Sequence, residues 1–214
     1  MRAPPGATKA STELEGTLHV TAPVALGRGE LIAFVAGFLA AHPKLRIDLA
    51  ITNENVDLVA SRVDVAIRFG PLASSTLMAR RLGTSHRVLV AAPAYLLRRR
   101  APKHPRELAE HETITFGAPE WTLLSGGQRR TRVPLSPRAT ANNLETVNEL
   151  VRLGLGIALL PASYLREEGL ARVLPRWSSV GIPVHALHAG KKFSPAKVRV
   201  FLDALAAWKN ATWQ

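Results

Sequence analysis

The sequence predicts an α/β fold in which apolar strands alternate with amphipathic helices. Short apolar runs end at turn pairs such as Gly70-Pro71, and between these runs apolar residues recur at a 3.6-residue spacing. Over residues 52–70, a polar loop leads into a short helix with Leu58 on its apolar side, and a strand over 63–69 follows. Because parallel neighbours need a crossover connection, a strand reached through a helix favours a parallel sheet.

The first half of the chain is predicted to form one β/α unit. A strand over 16–21 ends at Ala22-Pro23, and a helix follows it. The helix ends before Pro43, since a residue that precedes proline is forced out of the helical region. A strand over 45–51 then alternates apolar and polar residues. The apolar stripe of the helix has the spacing i, i+3, i+4, i+7 and i+8: Leu31, Phe34, Val35, Phe38 and Leu39.

The second half is predicted to form another β/α unit, which begins with the apolar run 87–92. Its longest helix opens at Asn142 or Asn143, both good N-cap residues. The last helix of the chain opens at Ser194-Pro195 with proline at its first position. The other predicted elements are short helices over 94–99, 106–110 and 162–168, strands over 113–116, 157–160, 170–174 and 184–189, and a hairpin that pairs 121–124 with 129–133.

Composition limits the class of protein. The chain has 214 residues, 47% of them apolar, which suits a globular fold with a substantial core. No apolar run reaches the roughly 18 residues that a membrane span needs, and residues 1–15 contain no apolar signal segment. Cysteine is absent, which excludes disulfides, thiol catalysis and cysteine-based zinc sites. We expect a cytoplasmic protein with no membrane partner.

The net charge of +12 is unevenly distributed. Residues 80–106 contain eight basic residues and no acidic residue, and residues 121–144 contain four arginines without an acid. A basic surface of this kind is typical of an anionic partner, and the alternative interpretation is a solvated basic face. Both interpretations stay open at this point.

One short motif resembles a nucleotide-hydrolysis signature. Residues 124–128 read Leu-Ser-Gly-Gly-Gln, which is identical to the signature sequence of ABC transporter ATPases. That chemistry depends on a phosphate-binding loop of the form G-x-x-x-x-G-K-[ST]. The sequence around Gly190 has neither the upstream glycine nor the following Ser or Thr. We therefore interpret the pentapeptide as the turn of the predicted hairpin.

Catalytic and metal-binding patterns find no support. His185 and His188 lie three residues apart on a predicted strand, so they face opposite sides of the sheet. No Gly-x-Ser-x-Gly elbow occurs, and no carboxylate pair stands out. The sequence predicts no enzyme activity, no catalytic residue, no metal site and no cofactor.

Polar residues at strand ends are the candidates for ligand binding. In open α/β sheets, ligands bind outside the carboxyl ends of the strands, and free amides at a helix start favour anionic groups. Five such places are expected to meet at one cleft. Capping or turn formation is the alternative role for each place, and for Arg68 the alternative is a buried pair with a carboxylate. The candidate ligand-binding residues are Thr21, Pro23, Val24, Thr52, Asn53, Arg68, Gly70, Phe116, Gly117, Asn142 and Asn143.

The segment 57–70 resembles a run found in the effector-binding domain of LysR-type transcriptional regulators. That run reads Asp-Leu-x-x-x-x-x-Asp-x-Ala-Ile-Arg-x-Gly, and residues 57–70 match it position by position. Residues 16–23, 89–96 and 154–161 and the C-terminal helix are similar to the family in order and spacing. The resemblance covers roughly residues 16–208.

The resemblance implies an α/β, two-lobed periplasmic-binding-protein-like (type 2) fold, each lobe a mixed sheet flanked by helices. It implies a tail or linker remnant over 1–15, a first lobe over 16–91 and 188–214, and a second lobe over 92–187. A small-molecule effector with a carboxylate or similar polar group would bind between the lobes and bias their closure. The family also forms homodimers or higher homo-oligomers.

The family binds DNA through an N-terminal winged helix-turn-helix, which this sequence lacks. Either the sequence is truncated or the chain is a free-standing sensor, and DNA contact is expected of the parent protein alone. The alternatives are a solute-binding protein or an enzyme on the same fold. A third alternative is a nonspecific anion or nucleic-acid binder driven by the net charge of +12.

Overall fold

Strand pairing divides the chain between two mixed sheets in the computed structural model. The structure describes residues 14–26, 29–54, 57–58, 60–72, 77–117, 119–126, 129–167, 169–190 and 195–208. In chain order the strands are β1 (Gly16–Ala22), β2 (Leu45–Ile51), β3 (Val65–Phe69), β4 (Met78–Ser85), β5 (Arg87–Ala91), β6 (Thr113–Phe116), β7 (Glu120–Ser125), β8 (Arg129–Pro134), β9 (Ala139–Ala141), β10 (Ile157–Pro161), β11 (Ala171–Ser179) and β12 (Ile182–His188).

Five helices and two short 3-10 helices accompany the strands in the described residues. The 3-10 helices are Val24–Leu26 and Pro105–Glu110. The α-helices are α1 (Glu30–Ala41), α2 (Pro93–Arg98), α3 (Leu144–Arg152), α4 (Ser163–Glu167) and α5 (Ala196–Ala207). None of these helices is long and apolar enough to cross a membrane.

The first sheet has the strand order β2-β1-β3-β12-β4. Strand β1 pairs in parallel with β2 and β3, as the helix-linked apolar runs predict. Strand β12 pairs antiparallel with β3 and β4, so the sheet is mixed. The parallel part brings the carboxyl ends of β1, β2 and β3 to one edge.

The core of the first sheet confirms the apolar stripes of α1 and α5. Leu31 and Phe38 of α1 and Phe201 of α5 are buried against the sheet. The Phe38 and Phe201 rings meet edge to face, with 5.1 Å between their centroids. Each of these residues buries enough apolar surface to contribute about 2 kcal/mol. All four predicted stripe residues of α5 are buried: Val198, Phe201, Leu202 and Leu205.

The second sheet has the strand order β8-β7-β11-β5-β10-β6-β9. Strand β5 pairs antiparallel with β10 and β11, and β6 pairs in parallel with β10 and β9. One face packs on α3 and α4 around Val147, Val151 and Leu160, and the other buries Leu89 and Trp177. Both faces of β5 are therefore covered, which explains its continuous apolar sequence.

The hairpin predicted around the Leu-Ser-Gly-Gly-Gln sequence is confirmed. Strands β7 and β8 pair antiparallel from Glu120 and Pro134 to Ser125 and Arg129. Gly126 begins the turn with φ of 58°, a value that favours glycine. Residues 127–128 lie outside the described residues.

Two local predictions differ from the structure. The predicted helix at Leu58 is a turn that ends at Arg62, whose φ of 54° is incompatible with helix, and β3 begins only at Val65. Strand β4 had no apolar signal, because its first four residues are exposed at the sheet edge. Ser194, the predicted cap of α5, lies outside the described residues, and Pro195 occupies the N-cap position.

Sheet membership also differs from the predicted lobe boundaries. Those boundaries put β5 in the first lobe and nearly all of β12 in the second, whereas β5 pairs within the second sheet and β12 within the first. Both strands are apolar and central, so their sequences do not reveal which sheet they join. The described chain passes between the sheets at His86 and again at residues 180–181. These two connections lie side by side, since Ser85 pairs with Ile182.

Candidate functional site

A cavity of about 250 Å³ lies between the two sheets. Loops and strand ends of the first sheet form one wall, and β5, β6 and the start of α3 form the other. Its volume is just below the range of roughly 300–1,000 Å³ that is usual for small-molecule pockets. The lining residues are Pro23, Ala25, Thr52, Asn53, Arg68, Phe69, Arg87, Phe116, Leu144 and Glu145.

The wall from the first sheet is held together by hydrogen bonds between its own members. The Val24 backbone N–H donates to Oδ1 of Asn53 at 3.1 Å, which ties the segment after β1 to the segment after β2. Oγ1 of Thr52 accepts from the Glu54 backbone N–H at 3.1 Å. These contacts give the strand ends a fixed shape before any ligand arrives.

Arg68 of β3 points into the cavity. Its guanidinium donates to the backbone oxygens of Ile67 and Glu54, at 3.0 Å and 3.3 Å, and more weakly to Oγ1 of Thr21 at 3.5 Å. Burial lowers the pKa of Arg68 from its ordinary value. The expected alternative, a pair with a carboxylate, is not found among the described residues.

Arg87 opens β5 in the opposite wall. Its backbone N–H donates to Oγ of Ser179 at 2.9 Å, and its guanidinium carbon lies 5.3 Å from the centroid of the Phe116 ring. Burial lowers the pKa of Arg87, while the nearby Tyr164 hydroxyl opposes that effect. Within the described part of the chain, the guanidinium has the ring as its partner and no hydrogen-bond acceptor.

Glu145 lies in the first turn of α3, where a carboxylate suits the helix dipole. Asn143 is the N-cap of this helix, as predicted, and its Oδ1 accepts from the Thr146 backbone N–H at 2.8 Å. The Tyr164 hydroxyl donates to Oε1 of Glu145 at 2.8 Å. Oε2 of Glu145 is buried and has no hydrogen-bond partner among the described residues.

The cavity lining combines charged side chains with apolar surface, which is the usual composition of a small-molecule pocket. Two cations, one carboxylate and apolar surface from Phe69, Phe116 and Leu144 surround the cavity. Among the described residues, the polar side chains of the lining are those of Thr52, Asn53, Arg68, Arg87 and Glu145. Among the described residues, no group of three or more metal-ligating side chains occurs.

Five of the predicted site residues line the cavity: Pro23, Thr52, Asn53, Arg68 and Phe116. Thr21 is fully buried behind Arg68, and Val24 faces Asn53 through its backbone. Their role in binding a ligand stays a prediction.

The remaining four predicted residues do not line the cavity. Gly70 and Gly117 adopt positive φ, of 96° and 79°, and end their strands in turns. Asn143 caps α3, and its side-chain nitrogen donates to Oδ1 of Asn142. The structure thus shows a cap role for Asn143 and turn positions for the two glycines, and ligand contact by any of the four stays a prediction.

The residues that sequence reasoning missed lie mostly in the second wall. Arg87 lies at the amino end of β5, whereas the prediction considered only residues at the carboxyl ends of strands. Because β5 runs antiparallel to β10 and β10 runs parallel to β6, the amino end of β5 shares an edge with the carboxyl end of β6. Leu144 and Glu145 directly follow the predicted N-cap. The capping signal therefore predicted the start of α3 but not that these two residues line the cavity. Ala25 and Phe69 adjoin predicted residues.

The sequence profile of the LysR substrate binding domain matches residues 11–209. The chain belongs to this family. It is 32% identical over 200 residues to the HTH-type transcriptional regulator PtxR of Pseudomonas aeruginosa, covering 90% of this chain and 64% of that protein. It is 30% identical over 207 residues to an HTH-type transcriptional regulator of Xanthomonas campestris pv. campestris, covering 91% of this chain and 60% of that one. The chain thus spans less than two thirds of the length of these relatives.

Solved structures of LysR-type regulators share the fold. The regulatory domain of CrgA from Neisseria meningitidis matches with a TM-score of 0.78 and 28% identity, covering 91% of this chain and 98% of that domain. Full-length AphB, a virulence activator of Vibrio cholerae, matches with a TM-score of 0.76 and 30% identity, covering 91% of this chain and 69% of AphB. The chain therefore has the type 2 periplasmic-binding-protein-like fold of LysR-type regulatory domains, as the resemblance implied.

Proposed function

We propose that the cavity between the two sheets binds a small anionic effector. The supporting observation is that burial lowers the pKa of both Arg68 and Arg87, and neither guanidinium meets a carboxylate among the described residues. A partly desolvated cation without a counter-ion is unfavourable, and an entering carboxylate offsets that cost. A carboxylate also suits the fork geometry of guanidinium donors.

The effector acts by biasing how the two lobes close. Sheet membership suggests one lobe of residues 14–85 and 182–208 and another of residues 87–179. The connections at His86 and at residues 180–181 are short and adjacent, which is the arrangement of a hinge. A ligand that contacts both walls binds the closed arrangement better and shifts the population towards it.

In the complete regulator, this closure would change how DNA-binding segments are arranged. We infer a homodimer or higher homo-oligomer, DNA binding through a winged helix-turn-helix, a cytoplasmic location and no enzyme activity. The support is family membership, since the relatives are named as transcriptional regulators. Sedimentation of the chain tests its oligomeric state.

A thermal-shift screen tests the binding proposal. The probes are acetate, butanoate, hexanoate, succinate and phenylacetate, each beside its neutral amide. We expect at least one acid to raise the melting temperature while its amide does not. Arg68→Gln and Arg87→Gln should each abolish the shift, whereas Arg172→Gln on the exposed side of β11 should retain it. Full shifts in both cavity variants, or shifts by the amides alone, would contradict the proposal.

A further inference from the structure

We infer that the effector carries a hydrogen-bond donor, either a hydroxyl or an ammonium group, and that Oε2 of Glu145 accepts it. This inference rests on the proposed function, because it concerns the same cavity. It adds a second polar contact at the wall opposite Arg68 and narrows the effector to a hydroxy acid or an amino acid with a short apolar body.

The two oxygens of the Glu145 carboxylate differ in their hydrogen bonding. One of its oxygens accepts from the Tyr164 hydroxyl at 2.8 Å, and the other is buried with no partner among the described residues. Buried carboxylate oxygens are nearly always satisfied, because an unmet acceptor keeps its full desolvation cost. The Thr146 backbone N–H, a donor close by in the same helical turn, is already bonded to Asn143. Glu145, which lines the cavity, therefore has one buried acceptor that no described residue satisfies.

Neither arginine of the cavity donates a hydrogen bond to Oε2 of Glu145. No ion pair within 4.0 Å joins Glu145 to Arg68 or Arg87. The Arg87 guanidinium instead lies on the Phe116 ring, 5.3 Å from its centroid. The cavity thus contains two cations and a carboxylate that stay apart in a space of about 250 Å³. A molecule with an anionic end and a donor end would connect them.

The surface between the charged groups of the cavity is apolar. Phe69, Phe116 and Leu144 line the cavity together with Pro23 and Ala25. An apolar body that carries both polar groups fits that lining, because a pocket binds through apolar contact and a few placed polar groups fix the orientation. Simple dicarboxylates are disfavoured, since their second anionic group would face the carboxylate of Glu145.

Matched ligands test the inference without any variant. The first series is phenylacetate, mandelate, phenylglycine and the methyl ether of mandelate. The second is hexanoate, α-hydroxyhexanoate, ε-hydroxyhexanoate and ε-aminohexanoate. By isothermal titration calorimetry, we expect at least one donor-bearing acid to bind about tenfold more tightly than its parent acid, as a hydrogen bond to a buried charged group allows. The methyl ether, which accepts but cannot donate, should lose that advantage.

Two glutamate variants on α3 supply the second readout. In Glu145→Gln, the preference for the donor-bearing acid should fall to about twofold or less, because the acceptor is no longer an ionised carboxylate. Glu149→Gln removes an exposed carboxylate of the same helix that pairs with Arg152, and it should keep the full preference. The melting temperature of each variant reports whether it folds.

The outcomes separate this inference from the proposed function. If parent acids bind in an Arg87-dependent manner and no donor-bearing acid gains affinity, the inference is overturned and the anion site stands. A gain that survives both the methyl ether and Glu145→Gln overturns it as well, because the donor then contacts another group. If no acid binds in an Arg87-dependent manner, the proposed function itself fails.

Discussion

The two walls of the cavity differ in how their polar groups are satisfied. On the first-sheet wall, Asn53 accepts from the Val24 backbone and Arg68 donates to three neutral neighbours, so both side chains have hydrogen-bond partners before a ligand binds. On the second-sheet wall, the Arg87 guanidinium has an aromatic ring as its partner in the described residues. Oε2 of Glu145 is buried and has no hydrogen-bond partner among them. The first wall is therefore a preformed surface, whereas the second has polar groups without hydrogen-bond partners among the described residues.

This difference predicts opposite effects of substitution on the two sides. Changes in the first wall should lower stability, because they remove existing hydrogen bonds, and at Arg68 they should lower ligand affinity as well. Changes in the second wall should lower ligand affinity while leaving stability nearly unchanged, because they remove groups that gain their partners on binding.

The largest effect is expected for Arg87→Met. Loss of a buried charge that contacts the ligand carboxylate should weaken binding by about 2–4 kcal/mol, measured by calorimetry with the best acid of the screen. The unfolding free energy should stay the same or rise, since methionine keeps the contact with Phe116 without a desolvated charge. A marked fall in stability with unchanged affinity would reverse the roles we assign to the two walls.

The next effect is expected for Thr21→Val in the first wall. Thr21 is fully buried and its hydroxyl accepts from Arg68, so the nearly isosteric change should cost about 1 kcal/mol of unfolding free energy. Affinity should fall less than in Arg87→Met, because Arg68 keeps its two backbone acceptors. Urea denaturation measures the first quantity. A stability equal to that of the unsubstituted chain would show that the long contact contributes nothing.

Asn53→Ala should destabilise the chain by about 0.5–1 kcal/mol, because the Val24 N–H loses its acceptor at an exposed position where water replaces it. The affinity for the acid should fall by a few-fold at most if Asn53 acts only as a support. A loss of affinity as large as that of Arg87→Met would instead make Asn53 a direct ligand contact.

The smallest effect concerns pH and a region outside the cavity. Burial, and next the positive charge of Arg99, lower the pKa of His111, whose Nδ1 lies 3.0 Å from the Tyr95 hydroxyl. The unfolded chain therefore binds a proton more readily, with a pKa near the ordinary value of about 6.5. Stability should be full above that pH and should decline as pH falls below it. Thermal unfolding at several pH values should show a shallower decline in His111→Gln.

Much of the fold was predictable because local chemistry determines it. The stripe of α5, the hairpin of β7 and β8 and the Asn143 cap all follow from periodicity, turn residues and capping preferences. Strand β4 was not predictable, since an edge strand with exposed Met78 and Arg80 has no apolar pattern. The sheet joined by β5 or β12 depends on long-range pairing that no local signal encodes.

The cavity, like the fold, has residues that local sequence signals predict and others that depend on long-range strand pairing. The predicted residues Thr52, Asn53 and Arg68 line the cavity because the first sheet is parallel where they lie, so its carboxyl strand ends meet there. The same reasoning did not predict Arg87, because β5 is antiparallel to its neighbour and brings its amino end to the cavity. Glu145 was not predicted as a site residue, because acidic residues are common in the first turn of a helix. What distinguishes it is one buried oxygen without a hydrogen-bond partner, which only the structure shows.

A crystal structure of the chain with its best-binding acid tests the central claim most directly. We predict that the carboxylate lies between Arg68 and Arg87, with the body of the ligand on Phe116. An acid bound outside the cavity, or bound within it without contact to either arginine, would contradict the account.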